Sequence, residues 1–363
     1  MNLRFNGTLM SEQTDTHAYN AFLDTLLNYN RDEGDTLLSL QRWVNYLNVT
    51  EHLTAGGAAD DICTTNGWGH CDATPLKTAT VPFYNNNKAT LIVHPHLEAF
   101  HTGRMLVPGV EIVLELFCNR LEFFLFGTNT SGVGVKHQVT LSKGDLKVTL
   151  HLCCFSLNPS FYNALQAKRK VKERWANYPV VRSEIRTFSF DGQTTKFTED
   201  NVFVGQVIVG LLDSRGFKGD LEYYPFAFQK FGVIRPHQVI DGEEYPYTTL
   251  ELNGLNGANG RKDLMGYHRF LEVSGWLPNH CPSLNQPSGW GQGKNCTLFA
   301  FNNVSNGDAD APGYRNLRQA GNIRLEIDFR ANPNKNLMVV VWGEFENVFQ
   351  IDDKGGILHN MHR

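Results

Sequence analysis

Strict alternation of apolar and polar residues is the feature that most constrains the fold of this 363-residue chain. Leu146–Leu152 and Ile323–Phe329 show it without exception, and Val110–Leu116 shows it with Val113 as the one exception; each segment has an apolar side chain at every second position. Successive side chains of a strand point to opposite faces, so this period predicts half-buried antiparallel strands with one face in water. The chain is therefore predicted to be all-β, or mainly β with a few helices.

Further strands are predicted where β-branched and aromatic runs are bounded by Asn, Gly and Pro turns. They are Leu3–Met10, Thr90–Leu97, Tyr178–Phe190, Phe203–Leu212, Phe226–Ile234, Cys296–Phe301 and Leu337–Gln350. The composition fits this class, because 24 Phe, 33 Gly and 14 Pro are typical of a chain with many strands and turns.

Two helices interrupt the strands and suggest how the chain is divided. The first has an apolar stripe at helical spacing and Thr16 as its cap; the stripe consists of Tyr19, Phe22, Leu23, Leu26 and Leu27. The second begins with Asn158 as N-cap and Pro159 at the first helical position, and ends before Tyr178. A helix between two sets of strands predicts a first β-domain over residues 1–157, a helical connector over 158–177 and a second β-domain over 178–363. Asp60–Asn87 and Asn253–Gly293 are predicted to be long loops.

The charge and hydropathy of the chain exclude several classes of function. A net charge of −4 and a pI of about 6.4 disfavour bulk neutralisation of nucleic acid, so the basic run Lys168–Arg174 is interpreted as a solvated helix face. No apolar run reaches the roughly 18 residues that a membrane helix requires. The first ten residues show no secretory signal, which predicts an intracellular protein, and an odd count of 7 Cys predicts reduced thiols.

Candidate metal ligands fall short of a complete set in the sequence. His94, His96 and His101 could supply imidazoles, but Glu98 is the only carboxylate at ligand spacing, so no metal is expected. Cys63, His70 and Cys71 match no zinc-binding spacing and are interpreted as loop residues. Cys153 and Cys154 end an alternating strand, so at least one of them is expected to be buried.

Signatures of cofactor binding and catalysis are also missing from the sequence. The glycines at 254, 257 and 260 lack the Gly-Lys-Ser/Thr and strand–helix context of a phosphate loop. No nucleophile elbow, zinc-protease helix or Ser-x-x-Lys motif occurs. We therefore expect a protein that is not an enzyme, with no catalytic, cofactor-binding or metal-binding residue and no cofactor.

Many short motifs, taken in order, resemble the major capsid proteins of Polinton (Maverick) elements. They span nearly the whole chain: Leu3–Leu9, Tyr19–Tyr29, Asn158–Ser160, Tyr178–Pro179, Asp200–Gln206, Pro225–Phe228, Asp241–Glu243, Cys296–Phe301, Gly321–Glu326 and Glu344–Asp352. The resemblance implies two tandem eight-stranded jelly rolls and homotrimers that form pseudo-hexagonal capsomers of an icosahedral shell. It also implies contacts between capsomers, penton and minor capsid proteins as partners, and a place in the virion, or inside the host cell when an integrated copy is expressed.

The family normally has further strands before Asn6-Gly7-Thr8-Leu9, so the resemblance implies that the first jelly roll is truncated. On that expectation the chain aggregates or forms a non-uniform mixture, whereas a chain with the upstream strands forms a trimer.

Two other functions stay open on the sequence alone. One is a host-domesticated derivative that forms no virion. The other is a carbohydrate-binding jelly roll, for which Trp68, Trp276 and Trp290 in Gly-rich loops would be the platforms.

Overall fold

The computed structural model describes ten continuous stretches and a few isolated positions of the chain. The stretches are residues 1–11, 15–41, 91–120, 147–170, 175–200, 206–220, 225–245, 264–279, 296–303 and 323–359 without 353; the isolated positions are 43, 123, 223, 250–252 and 290. The strands are β1 Asn2–Phe5, β2 Thr8–Leu9, β3 Ile112–Glu115, β4 Ala176–Phe190, β5 Lys196–Glu199, β6 Gln206–Asp213, β7 Val233–Ile240, β8 Glu243–Tyr245, β9 Leu298–Asn302, β10 Ile323–Phe329, β11 Leu337–Ile351 and β12 Ile357–His359. The helices are α1 His17–Asn28, α2 Arg31–Asp35, α3 Pro159–Lys170, α4 Ser214–Lys218, α5 Leu264–Val273 and α6 Trp276–Asn279, with 3-10 turns at Leu38–Gln41 and Glu98–Phe100.

Strands β4 to β12 form an antiparallel sandwich. One sheet has the order β4-β11-β6-β9, with β12 pairing the end of β11, and the other has the order β5-β10-β7-β8. Chain neighbours from β4 to β11 thus alternate between the two sheets except for the β7–β8 hairpin, which is the strand order of an eight-stranded jelly roll. The predicted fold class, mainly β with a few helices and antiparallel sheets, is confirmed.

The space between the two sheets is filled with apolar side chains from both inner faces. The alternating residues of β10 point into it as predicted, and Ile323, Leu325 and Ile327 are at most 2% exposed. The other buried members are Phe190, Phe197, Val207, Val209, Leu211, Val233, Leu252, Trp290, Phe299, Phe301, Phe329, Leu337, Val339 and Val341.

The outer face of the first sheet is buried as well, because α1 and α5 lie on it. The predicted stripe of α1 is buried in full, and its members contact Ile208 and Leu212 of β6 and Trp342 of β11 in one cluster. Strand β6 is therefore covered on both faces, which explains why its residues 207–212 include no polar side chain. Thr16 is the N-cap of α1 by position, but its side chain makes no capping hydrogen bond.

A small sheet of order β2-β1-β3 lies at one end of this sandwich. The predicted strand Leu3–Met10 is in fact a hairpin, because Asn6 and Gly7 have φ of 47° and 80° and form a two-residue turn. Asn-Gly is favoured there since both central residues of such a turn need positive φ. Leu3 and Phe5 are fully buried against Tyr178 and Phe349 of the long β4–β11 pair.

Several other predicted elements differ from the structure. The segment 147–152 forms no strand; Leu150, predicted to be buried, is 40% exposed, because no strand in the described part of the chain pairs with this segment. Residues 91–97 form no strand either, and the strand predicted at Phe226–Ile234 begins only at Val233.

Other corrections concern the loops. The predicted loop Asn253–Gly293 contains α5, whose buried Gly266, Phe270 and Val273 recur at helical spacing. The sequence pattern does not predict strands β5, β8 and β12, because segments of three or four residues are too short to show a periodic arrangement of apolar side chains. The loop predicted at Asp60–Asn87 lies outside the described residues.

Helix α3 starts at Pro159 as predicted, with Asn158 Oδ1 accepting from the Ser160 amide at 3.0 Å. The division into 1–157, 158–177 and 178–363 stays a prediction.

Candidate functional site

The histidines at 94, 96 and 101 meet helix α1 and acquire a carboxylate there. His96 lies just before the 3-10 turn Glu98–Phe100, and His101 caps its end. Leu97 and Ala99 are 5% exposed and hold this turn in the apolar cluster beside β1 and β4. The turn therefore presents the two imidazoles to the same flank of α1.

Asp24 projects from α1 toward these imidazoles. Its Oδ2 contacts His96 Nδ1, and its Oδ1 accepts a hydrogen bond from Asn28 Nδ2 at 2.6 Å. The second ring nitrogen of His96, Nε2, lies 3.2 Å from Thr25 Oγ1. The donor atoms of Asp24, His96 and His101 all lie within 4.8 Å of one another. Asp24 therefore supplies the carboxylate ligand that the sequence near His94–His101 does not contain, apart from Glu98.

The electrostatics of the cluster favour an ionised Asp24 and a neutral His94. Burial acts against ionisation of Asp24, but the hydrogen bond from His96 and its charge outweigh it, so the pKa of the Asp24 carboxyl lies below its usual value. Burial, followed by the neighbouring His101 and His96, lowers the pKa of His94. The rings of His94 and His101 have centroids 4.9 Å apart.

A small cleft beside the cluster contains a further histidine, His17, which is partly buried. It is lined by Ser11, Thr16, His17, Asn20, His96, Leu97, Glu98, Ser183 and Ile185. Burial lowers the pKa of His17 to about 4, with the N-terminal amine and His96 adding to the effect. His17 Nε2 is buried without a hydrogen-bond partner within the described part of the molecule.

A ladder of charges crosses the outer face of the second sheet. Glu326 Oε2 lies 2.5 Å from Lys196 Nζ and 3.1 Å from His237 Nε2, which joins β10 to β5 and β7. Burial opposes ionisation of Glu326, but the hydrogen bond and charge of Lys196 outweigh it and lower the pKa of the carboxyl. Such cross-strand pairs stabilise a sheet, and we assign the ladder that role.

Of the three tryptophans proposed as sugar platforms, the two that the structure describes are held within the fold. Trp290 is 6% exposed and donates from Nε1 to Leu298 O at 3.1 Å, so it is a core residue of the sandwich. Trp276 donates from Nε1 to Leu27 O at 2.8 Å, which fixes it against α1. Trp68 lies outside the described residues.

The remaining sequence candidates give no site. Cys153 and Cys154 are both exposed, which corrects the prediction that one of them is buried; the segment that carries them pairs with no described strand. Lys168 is exposed on α3 as expected of a solvated face. Cys63, His70, Cys71 and the glycines at 254, 257 and 260 lie outside the described residues.

Residues 148–162 form an exposed apolar segment. Its exposed large side chains are Val148, Leu150, Leu152, Phe155, Leu157, Phe161 and Tyr162, and Phe155 is 62% exposed. Folded monomeric proteins rarely expose this many large apolar side chains in one contiguous segment. Such a segment is typical of an interaction surface. Of the helices that the structure describes, none is long and apolar enough to cross a membrane.

Comparisons with known proteins give remote similarities. No model of a known protein family matches the chain. An uncharacterized protein of Caenorhabditis elegans, F54H12.2, is 22% identical over 355 residues, which cover 96% of this chain and 76% of that protein.

Among solved structures, the mavirus major capsid protein is 10% identical with a TM-score of 0.31 over 51% of this chain and 41% of that chain. The capsid protein VP54 of PBCV-1, fitted into a reconstruction of the virophage Sputnik, is 8% identical with a TM-score of 0.33 over 57% of this chain and 55% of that chain. The chain thus matches about half of each of these two proteins, or less.

Proposed function

We propose that the chain is a structural major capsid protein of a Polinton-like virus or integrated element. In this proposal three copies form a pseudo-hexagonal capsomer of an icosahedral shell, and penton and minor capsid proteins complete the virion. The observation that carries the proposal is the jelly-roll strand order of β4 to β12, in which β4-β11-β6-β9 faces β5-β10-β7-β8. The ordered motifs that resemble Polinton capsid proteins support the same function.

The filled interior of this jelly roll argues against the other common uses of the fold. Viral capsid domains, lectins and cupins all use jelly rolls. The space between the sheets here contains large apolar side chains such as Phe299 and Phe301, each 2% exposed, where a cupin would need a ligand cavity. Of the three tryptophans on which the lectin alternative depended, Trp290 is buried and Trp276 is hydrogen-bonded to α1. A packed sandwich with functional surfaces on its outside is what a shell subunit requires.

The predicted domain division belongs to this proposal. Residues 1–157 would form the first jelly roll, 158–177 the connector and 178–363 the second jelly roll. Helix α3 supports the connector, since it begins at Pro159, just before β4 opens the sandwich. The small sheet of β1, β2 and β3 supports a separate set of strands in the N-terminal part of the chain.

The exposed apolar segment 148–162 supplies a candidate subunit contact. Closed symmetric oligomers bury self-complementary or heterologous patches, and apolar side chains dominate the centre of stable interfaces. Phe155 and Phe161, 62% and 59% exposed, are the largest apolar side chains of this segment. We place part of the trimer contact on them.

Size-exclusion chromatography with light scattering tests the assembly. We expect a species of three times the 41.0 kDa of one chain, a result that would contradict the non-uniform mixture expected from the resemblance. The double variant Phe155→Asp, Phe161→Asp should dissociate it, because two buried charges cannot be solvated at an interface. Met265→Asp, at a residue 64% exposed on α5, is the matched control and should leave the trimer intact. A monodisperse monomer of the unmodified chain would contradict the capsid proposal and favour the host-domesticated alternative.

A further inference from the structure

We propose that Asp24, His96 and His101 form a binding site for one divalent transition-metal ion, with Zn²⁺ as the best chemical match. The site fastens the segment around the Glu98–Phe100 turn to helix α1. It goes beyond the assembly function proposed above and does not depend on it.

The hydrogen bonds of Thr25 define which nitrogen of His96 can bind a metal. Thr25 Oγ1 donates its single hydrogen to Ala21 O at 2.7 Å, so it can only accept from His96 Nε2 at 3.2 Å. Nε2 therefore carries a hydrogen, and in the neutral imidazole Nδ1 is left with a bare lone pair. That lone pair points at Asp24 Oδ2.

Two lone pairs facing each other repel unless a cation lies between them. A proton fits between the two atoms at their present separation, whereas a metal ion requires them to move apart. A metal-bound histidine almost always donates its second N–H to an oxygen acceptor, which is the role that Thr25 takes here. The Asn28 amide likewise holds the carboxylate through Oδ1 and leaves Oδ2 directed at His96.

The third ligand distinguishes a metal site from a simple ion pair. His101 brings its donor atom within 4.8 Å of those of Asp24 and His96. Ligand atoms at about 2.0–2.2 Å from a tetrahedral zinc are about 3.3–3.6 Å apart, so metal binding requires the exposed His101 side chain to rotate and the close contact between His96 Nδ1 and Asp24 Oδ2 to open. The spacing His96-x₄-His101 lies in the range that paired histidine ligands of zinc adopt.

The donor set selects the class of metal. Two imidazoles and one carboxylate suit zinc and its neighbours in the transition series, whereas calcium and magnesium prefer oxygen ligands alone. The fourth position is open to a water molecule or to His94, whose ring lies 4.9 Å from that of His101. Binding that requires both α1 and the 96–101 turn stabilises the folded state, because the unfolded chain does not hold the three donors together.

Metal titration of the full chain tests the site. After treatment with a chelator and its removal, we expect one Zn²⁺ per chain by calorimetry and by elemental analysis, and a rise in the melting temperature. Co²⁺ should give the visible absorption bands of a tetrahedral site, and Zn²⁺ should displace them. His101→Ala should weaken Zn²⁺ binding at least tenfold and abolish these bands. Because His101 is exposed, its truncation leaves the fold intact.

Two further variants complete the test. Asp24→Asn should weaken Zn²⁺ binding more than His101→Ala does, since it removes the charged ligand. His268→Ala, at an exposed histidine of α5 outside the cluster, should bind Zn²⁺ as tightly as the unmodified chain. The proposal is overturned if the folded chain binds no stoichiometric Zn²⁺, or if His101→Ala binds it with unchanged affinity; either result would assign a proton-bridged ion pair to His96 and Asp24.

Discussion

Strand β6 and the segment 147–152 carry opposite sequence patterns and have opposite surroundings. The segment alternates strictly, yet its Val148 and Leu152 are more than half exposed. Strand β6 is apolar almost throughout, and all of its residues are buried. The inner face of β6 packs in the sandwich core and its outer face lies under α1 and α5, whereas the segment pairs with no described strand. Alternation thus tells which side chains share a face, and the neighbouring elements decide whether that face is buried.

The largest expected effect separates the two regions by stability. Phe301→Ala removes a side chain that is 2% exposed in the sandwich core and should lower the free energy of unfolding by about 3–5 kcal/mol. Phe155→Ala, in the exposed segment, should change it by no more than about 0.5 kcal/mol. Chemical denaturation of both variants at low protein concentration, where association is suppressed, measures the difference. Equal losses would show that the exposed segment is part of the core.

The sequence predicted the sandwich better than it predicted the candidate site, and particular residues show why. The stripe of α1 and the alternation of β10 were sufficient because burial follows the period of the element itself. Asp24 is on the polar flank of α1 and is separated from His96 by 71 intervening positions, so no local pattern connects them. Their proximity depends on how the 96–101 turn is anchored between Leu97, Ala99 and the small sheet. The prediction that Leu150 is buried was wrong for the same reason, because its exposure depends on elements that are distant in sequence.

The second effect concerns the close approach of Phe228 to β6. A Cβ atom added at Gly210 would lie 2.4 Å from Phe228 Cδ1 and 3.0 Å from Leu298 Cδ2, so Gly210→Ala should cost up to about 3 kcal/mol through overpacking. Gly103→Ala is the control, because a Cβ there meets no atom within 4 Å. Thermal melts of the two variants compare a doubly covered strand with an open loop. If Gly210→Ala leaves the melting temperature unchanged, the Phe228 side chain can shift and make room for the added Cβ atom.

The third effect tests the connection between the small sheet and the sandwich. Asn6 has φ of 47°, accepts from the Glu111 amide at 2.7 Å and donates to Gly355 O at 2.7 Å. Asn6→Ala removes both hydrogen bonds and places a Cβ residue without local compensation in the left-handed region, so it should cost about 2 kcal/mol. Asn6→Gly relieves the backbone strain but not the lost hydrogen bonds and should cost about 1 kcal/mol. Urea denaturation should rank the two variants in that order. The reverse order would show that the positive φ at residue 6 does not strain the alanine variant, and an unchanged stability of Asn6→Gly would show that the side-chain bonds contribute nothing.

The smallest effect lies at the end of β6 and depends on pH. Asp213 is 4% exposed; its Oδ1 accepts from the Arg215 amide at 2.9 Å, and its Oδ2 accepts from the Arg215 guanidinium at 2.8 Å. Burial opposes ionisation, but the hydrogen bonds from Arg215 outweigh it, so the pKa of the Asp213 carboxyl lies below its usual value of 3.8. The folded chain therefore binds this proton less tightly than the unfolded chain does.

It follows that the ionised carboxylate stabilises the fold above about pH 3.8, and that this contribution disappears as the pH falls through the lower folded-state pKa. Asp213→Asn keeps an oxygen acceptor for the Arg215 amide and removes only the charge. Since Arg215 is 52% exposed and its pairing is weakened by solvent, the loss at pH 7 should be about 1 kcal/mol or less. Unfolding free energies of the two proteins, measured from pH 7 down to pH 3, should converge at the acid end. A difference that stays constant with pH would show that Asp213 acts through its shape as a helix cap alone, and that its charge does not stabilise the junction of β6 and α4.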